Sequence, residues 1–282
     1  MRRPLSLSTI VAIQFLLGIL VLVGVVPFLP GYDPYTQDLA ASLLPPGGSD
    51  MDGITRLLGT DALGRDMISR LSLAGRLSLF IGIVAVLTSM VIGVALGLIA
   101  GFFRSWAENV IMAVADLQLS IPRVLLLIAV TAIIGQSVTN LALLLGITSW
   151  VAYGRIARAM ALSLREREFV LSATTQGATA AWNIRKHLLP NVMPQMLIVA
   201  SYELGQIIVL ESALSYLGLG VQPPLPSWGM MVSEGQTYLE LDPWLPVLPS
   251  IALFMLVAGV QFLSQAYTAE NDASAEAARA KS

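Results

Sequence analysis

The side chains able to do chemistry in this chain are few and far apart. Asp116, Arg123, Glu203 and Glu211 stand inside long apolar runs. A charge at such a depth is costly and normally faces a cavity, a partner chain or another charge. The four could line a path for a polar solute, and they could equally pair with one another for structural reasons; their spacing leaves both readings open. His187 is the single histidine and there is no cysteine, so thiol and disulfide chemistry is excluded and a transition-metal site lacks ligands. A hydrolase would need a nucleophile set against that histidine, and no Ser arrangement points to it. The two lysines, Lys186 and Lys281, do not follow a glycine. The Gly-Lys-Ser/Thr loop that cradles nucleotide phosphates is therefore missing, no catalytic residue or metal ligand is assigned, and no cofactor is expected in this chain.

Composition describes the elements that must carry these groups. Of 282 residues, 56% are hydrophobic and 12% charged, about half the charge of a soluble chain, and the mean hydropathy is +0.76. A net charge of −2 argues against a nucleic-acid partner. The sequence predicts an all-α integral membrane protein with six transmembrane helices. Residues 1–30 form the first, a retained helix with a basic start. Residues 31–76 form an extracytoplasmic segment rich in turns. Residues 77–266 hold five more helices, over about 77–103, 109–134 with a kink at Pro122, 140–160, 192–214 and 243–262. Within that core lie a polar loop at 161–191 and an external loop at 215–243, and residues 267–282 form a polar, weakly ordered tail. Eleven of the sixteen Lys and Arg residues fall at inner ends in this arrangement, which places both termini in the cytoplasm. Gly93, Gly97 and Gly101 repeat at four-residue spacing, a stripe that lets another helix approach closely.

The 161–191 loop reads as helix, break, helix. Gly177 is suited to end a helix in a left-handed conformation, Thr179 to cap the next, and Trp182 to Leu188 to form one short helix stopped by Pro190. This loop resembles the cytoplasmic EAA loop of ABC importer permeases. Gly177, Ile184, His187, Leu189, Pro190 and Asn191 fit the pattern, while the naming letters fall on Leu171, Ser172 and Ala173, of which only the last matches. Upstream, Trp150, Tyr153, Arg155 and Arg158 resemble the family's W-x-x-Y-x-R-x-x-R run.

Two further stretches resemble the dipeptide, oligopeptide and nickel permease branch. One is Gly59-Thr-Asp-Ala-Leu-Gly-Arg-Asp66, in which Asp66 is expected to pair with Arg65 or Arg70. The other runs from Glu211 through Leu-Gly-Leu-Gly-Val to Pro-Ser-Trp-Gly229. The resemblance implies a type I ABC importer permease fold and one permease subunit of an ATP-driven importer for di- or oligopeptides or similar solutes. Nickel chelates, opines and glutathione are the alternative cargoes; an ion-driven secondary transporter is the distant one. The implied partners are a second homologous permease, two cytoplasmic ATPases holding ATP and Mg, an extracytoplasmic solute-binding protein and membrane lipid. The ATPase-coupling surface is expected at Glu166, Glu168, Ala173, Gly177, Trp182, His187, Pro190 and Asn191, and a binding-protein contact at Gln222 and Trp228.

Overall fold

The computed structural model describes residues 7–279, with side chains described for 7–266. The expected basic start at Arg2 and Arg3, and Lys281 of the tail, lie outside the described residues. The chain is helical throughout: α1 (Leu7–Gly24), α2 (Met67–Phe103), α3 (Trp106–Ser120), α4 (Arg123–Ile134), α5 (Val138–Leu164), α6 (Glu168–Thr175), α7 (Ala180–Asn183), α8 (Leu189–Tyr216), α9 (Trp228–Gln236) and α10 (Trp244–Arg279). A two-stranded hairpin, β1 (Gly48–Ser49) with β2 (Thr55–Arg56), interrupts the segment between α1 and α2.

Among the described residues, four helices are long and apolar enough to cross a membrane: Leu7–Phe28, Met67–Phe103, Ala180–Tyr216 and Trp244–Ala266. A fifth span results if α3 and α4 count as one. These two are bent by 93° at their junction, where a single kinked helix was expected. The cause is Pro122: it disfavours the helical state in the residue before it, and Ile121 is extended at φ −98°, ψ 128°. α5 is long enough at 27 residues, but Asn140, Thr148, Ser149, Arg155 and Arg158 lower its hydropathy.

Three boundaries differ from expectation. α2 begins ten residues before the predicted start at Leu77, because Asp66 caps it. At 37 residues and 1.5 Å per residue it is about 55 Å long, well beyond the ~30 Å hydrocarbon core, so one end projects. Pro190 does not stop a helix. It sits in the first turn of α8, preceded by a π-helical turn at Ile184–Leu188, and such a widened turn accommodates a missing N–H. Asn191 Nδ2 donates to His187 O at 2.7 Å in the same turn. Finally, α10 continues to Arg279 where a weakly ordered tail was predicted; Ala, Glu and Arg are strong helix formers.

The chain divides into two compact units. The first comprises residues 1–82, 131–141 and 205–282. In it α1 packs on α10 through Gly18 against Met255, Gly259 against Leu16, and an edge-to-face Phe15–Phe254 pair at 5.8 Å. The second comprises residues 83–130 and 142–204. There the glycine stripe of α2 meets α5: a Cβ on Gly97 would lie 2.7 Å from Ala157 Cβ, and one on Gly101 2.7 Å from Ala161 Cβ. That contact adjoins a core of Val94, Leu98, Tyr153, Val170, Leu188 and Met196.

Candidate functional site

The polar loop of the second unit is built as a bracket. α6 ends in a Schellman motif: Gly177 N–H donates to Thr174 O at 3.0 Å and Ala178 N–H to Ala173 O at 3.0 Å, with Gly177 at φ +91°. This satisfies carbonyls that a helix end leaves free. Thr179 then accepts from Trp182 N–H at 3.3 Å and starts α7. Asn183 Nδ2 donates to Thr174 Oγ1 at 3.0 Å, and Thr174 Oγ1 donates to Val170 O at 2.9 Å, which ties α7 back onto α6.

Between the arms lies an open groove of about 610 Å³ lined by Phe169, Ser172, Ala173, Gln176, Gly177, Ala178, Thr179 and Trp182. Phe169 and Trp182 are both nearly half exposed. His187 stands edge-on to both rings, at 5.4 Å from Phe169 and 5.0 Å from Trp182; its ring braces the aromatic wall. Two acidic residues lie at the start of α6, outside the groove lining: Glu168 in its first turn, where the helix dipole favours it, and Glu166, whose carboxylate accepts from Arg104 at 2.8 Å. Ala173, Gly177 and Trp182 thus line one concavity, His187 packs against two of its aromatic rings, and Pro190 and Asn191 are exposed in the first turn of α8. Phe169, Ser172 and Gln176 were not foreseen. Their signal is the helical spacing of α6: Phe169, Ser172, Ala173 and Gln176 recur at i, i+3, i+4 and i+7 and share the face that lines the groove, while Val170 is buried.

The intramembrane charges part company. Asp116 is exposed and pairs with Arg155 at 2.5 Å. Arg123 donates to Ser149 Oγ and lies within electrostatic reach of Glu203. Glu203 is buried, and its Oε2 has no hydrogen-bond partner. Glu211 lies in the first unit, is fully enclosed, and accepts from Ser78 at 3.0 Å, Ser215 at 2.8 Å and Ser212 at 3.3 Å. It faces hydroxyls, not an open path.

Trp228 is likewise fully buried, and its indole N–H donates to Leu71 O at 3.0 Å. It is a packing residue, unavailable as a binding-protein contact. Gln222 is partly exposed, and its Nε2 donates to Gly218 O at 3.1 Å and Gly220 O at 3.2 Å.

The Gly59–Asp66 stretch folds into a turn of positive-φ glycines. Gly59 (φ +76°) and Gly64 (φ +71°) press against the backbone of Leu44 and Asp38. Asp61, not Asp66, holds the arginines: it accepts from Arg65 Nε at 2.7 Å and from Arg70, as well as from Leu63 and Arg65 N–H at 2.9 Å each. Asp66 caps α2 by accepting from Ser69 N–H at 2.9 Å and Ser69 Oγ at 2.6 Å. The expected Asp66–Arg pairing is corrected for that reason, since the cap claims its carboxylate.

Residues 93–269 match the family model for the inner membrane component of binding-protein-dependent transport systems. The chain belongs to this family. It is a permease with several apolar helices in the inner membrane. It is 37% identical over 206 residues to the glutathione transport system permease protein GsiD of Pectobacterium atrosepticum, covering 73% of this chain and 68% of that one. It is 36% identical over 237 residues to the di/tripeptide transport system permease protein DppC of Pseudomonas aeruginosa, covering 84% and 78%. It is 30% identical over 262 residues to the oligopeptide transport system permease protein OppC of Haemophilus influenzae, covering 93% and 82%. In fold it is similar to a chain of the inward-facing MetNI methionine ABC transporter, with a TM-score of 0.55 at 20% identity, covering 71% of the permease and 94% of that chain.

Proposed function

We propose that the permease is one of a pair of related membrane subunits in an ATP-driven importer of di- or oligopeptides or similar small solutes. Two cytoplasmic ATPases would bind ATP and Mg, and an extracytoplasmic solute-binding protein would deliver the cargo. The α6–Gly177–α7 bracket would be the coupling element, in a six-span arrangement with both termini, residues 161–191 and residues 267–282 in the cytoplasm, and residues 31–76 and 215–243 outside. Arg123 and Glu203 are the strongest candidates for lining the path.

One observation carries the coupling reading. Trp182, in the groove wall, belongs to the same continuous helical stretch, Ala180–Tyr216, that is apolar enough to span the membrane. A helix seated in the groove by its apolar face would push directly on a span, and rigid-body tilting of packed helices is how such machines switch states. The peptide-class cargo is supported by the names its relatives carry. The chain has no cysteine, so a single cysteine placed by Ala173→Cys reports without background. It is expected to cross-link to a copurified ATPase subunit in a nucleotide-dependent manner; the same yield with and without ATP, or none, would sink the coupling role.

A further inference from the structure

The Gly59–Asp66 turn does more than end a loop. With the start of α2, α9 and the start of α10 it encloses a pocket of about 320 Å³ in the first unit, whose lining includes Asp61, Arg65, Arg70, Glu234, Met231 and Tyr238. Two guanidinium groups and two carboxylates meet there, but the carboxylates are held very differently. Asp61 is saturated by both arginines and two backbone N–H groups. Glu234 is 43% exposed and reaches Arg70 only at 3.4 Å and Arg65 at 3.7 Å, where a well-made guanidinium–carboxylate pair sits at about 2.7–2.9 Å. Arg70 is 1% exposed, and its Nε–H has no hydrogen-bond partner. A buried guanidinium with spare donor capacity beside a loosely held, displaceable carboxylate is a seat for a second carboxylate.

We propose that this pocket binds the C-terminal carboxylate of a short peptide, with the last side chain against the apolar wall of Met67, Met231 and Leu245. The ligand's carboxylate would take the place of Glu234 on Arg65 and Arg70. A volume of 320 Å³ is near the lower end of the ~300–1,000 Å³ of small-ligand sites and admits one or two residues. The proposal rests on the peptide-importer reading for its choice of ligand. It is independent of that reading for the binding itself, which needs neither ATPase nor binding protein.

The test is calorimetric titration of the full-length permease in lipid nanodiscs with the dipeptide Ala-Phe and with its C-terminal amide. Saturable binding of the acid is expected, at least about tenfold tighter than the amide, since a hydrogen-bonded charge is lost. Glu234→Gln should tighten the acid severalfold by removing the competing carboxylate, and Arg65→Gln should weaken it. Equal binding of acid and amide, no saturable binding of the acid, or an unchanged affinity in Glu234→Gln overturns the proposal, whatever the folding of the arginine variant. A site that ignores the dipeptide but whose Glu234→Gln form captures the solute-binding protein more tightly would mean the carboxylate is that protein's, and would overturn it too. Failure of the importer reading looks different: the acid still binds, while the reconstituted complex shows no ATP-dependent uptake.

Discussion

Gly97 of α2 lies so close to Ala157 of α5 that a Cβ on the glycine would stand 2.7 Å from the alanine's Cβ, a separation real side chains do not adopt. The backbone carbonyl of Gly154 presses on the same point, so the neighbour that must yield is main chain. Gly97→Ala is therefore expected to destabilise the permease by about 1–3 kcal/mol through overpacking, and Gly97→Leu by more. Thermal unfolding in detergent measures both; an unchanged midpoint for the leucine variant would refute the close contact.

At Gly177 the strain is of another kind. A Cβ there meets open space, so only the positive φ of +91° opposes a side chain, at a cost of about 1–2 kcal/mol. Gly177→Val should leave the membrane core folded and distort the bracket. Uptake by the reconstituted complex is expected to fall at least about tenfold while ATP hydrolysis continues. Gly177→Asn, which tolerates this conformation better, should retain more transport, and coupled uptake at the native level by the valine variant would contradict the coupling role of the bracket.

Asp61 and Asp66 look alike in sequence but not in consequence. Removing the charge of Asp61 leaves Arg70, which is 1% exposed, with only the longer 3.4 Å contact to Glu234, and breaking a buried pair from one side costs up to about 3–5 kcal/mol. Removing Asp66 costs a helix cap, about 1 kcal/mol. Asp61→Asn should thus greatly reduce the amount of folded permease recovered, and Asp66→Ala only slightly. Equal losses would show that the arginine cluster is not organised as described.

Glu211 is held by three serine hydroxyls. Glu211→Gln keeps an acceptor for them and should be nearly neutral in thermal stability, whereas Glu211→Leu leaves buried hydroxyls unmatched, at about 1–3 kcal/mol each. If the residue carried ions instead, the glutamine variant would abolish uptake without moving the unfolding midpoint.

The β1–β2 hairpin should be acid-sensitive. The Ile54 N–H donated to Asp50, with the Arg56 guanidinium beside it, holds the Asp50 carboxyl below its ordinary value. A lowered folded value means that its contribution is present above the usual carboxylate range, about 3.9, and is lost as pH falls through the lower folded value. Carboxyl carbon shifts of a labelled sample, followed by NMR from pH 6 downward, should give an Asp50 midpoint below the ordinary aspartate value of about 3.9; an ordinary midpoint would remove the argument.

How much of this was legible beforehand follows from what each residue does locally. The Schellman turn at Gly177 and the cap at Thr179 are written in four neighbouring residues, and the glycine stripe of α2 announces close packing through its period alone. The right-angle break at Pro122 was underestimated because proline marks an interruption without its size, which Ile121's extended backbone decides. The partner of each arginine near Asp61 was missed because a cap and an ion pair use the same residue type, and only the fold tells which aspartate stands at a helix end. Trp228 was assigned to a surface because loops usually carry contacts, whereas its indole found Leu71, 157 positions away, a relationship no local pattern contains.

The elbow between α3 and α4 has a consequence for the lipid around it. With 15 and 12 residues, the arms are about 22 and 18 Å long, and at 93° they form a chevron about 28 Å from tip to tip. Neither arm alone crosses a ~30 Å hydrocarbon layer, and the pair, measured tip to tip, still falls slightly short of it. Bilayers somewhat thinner than average should therefore suit this protein best, since each ångström of mismatch carries a small penalty, and its function should respond to acyl-chain length more sharply than that of a bundle of straight rods.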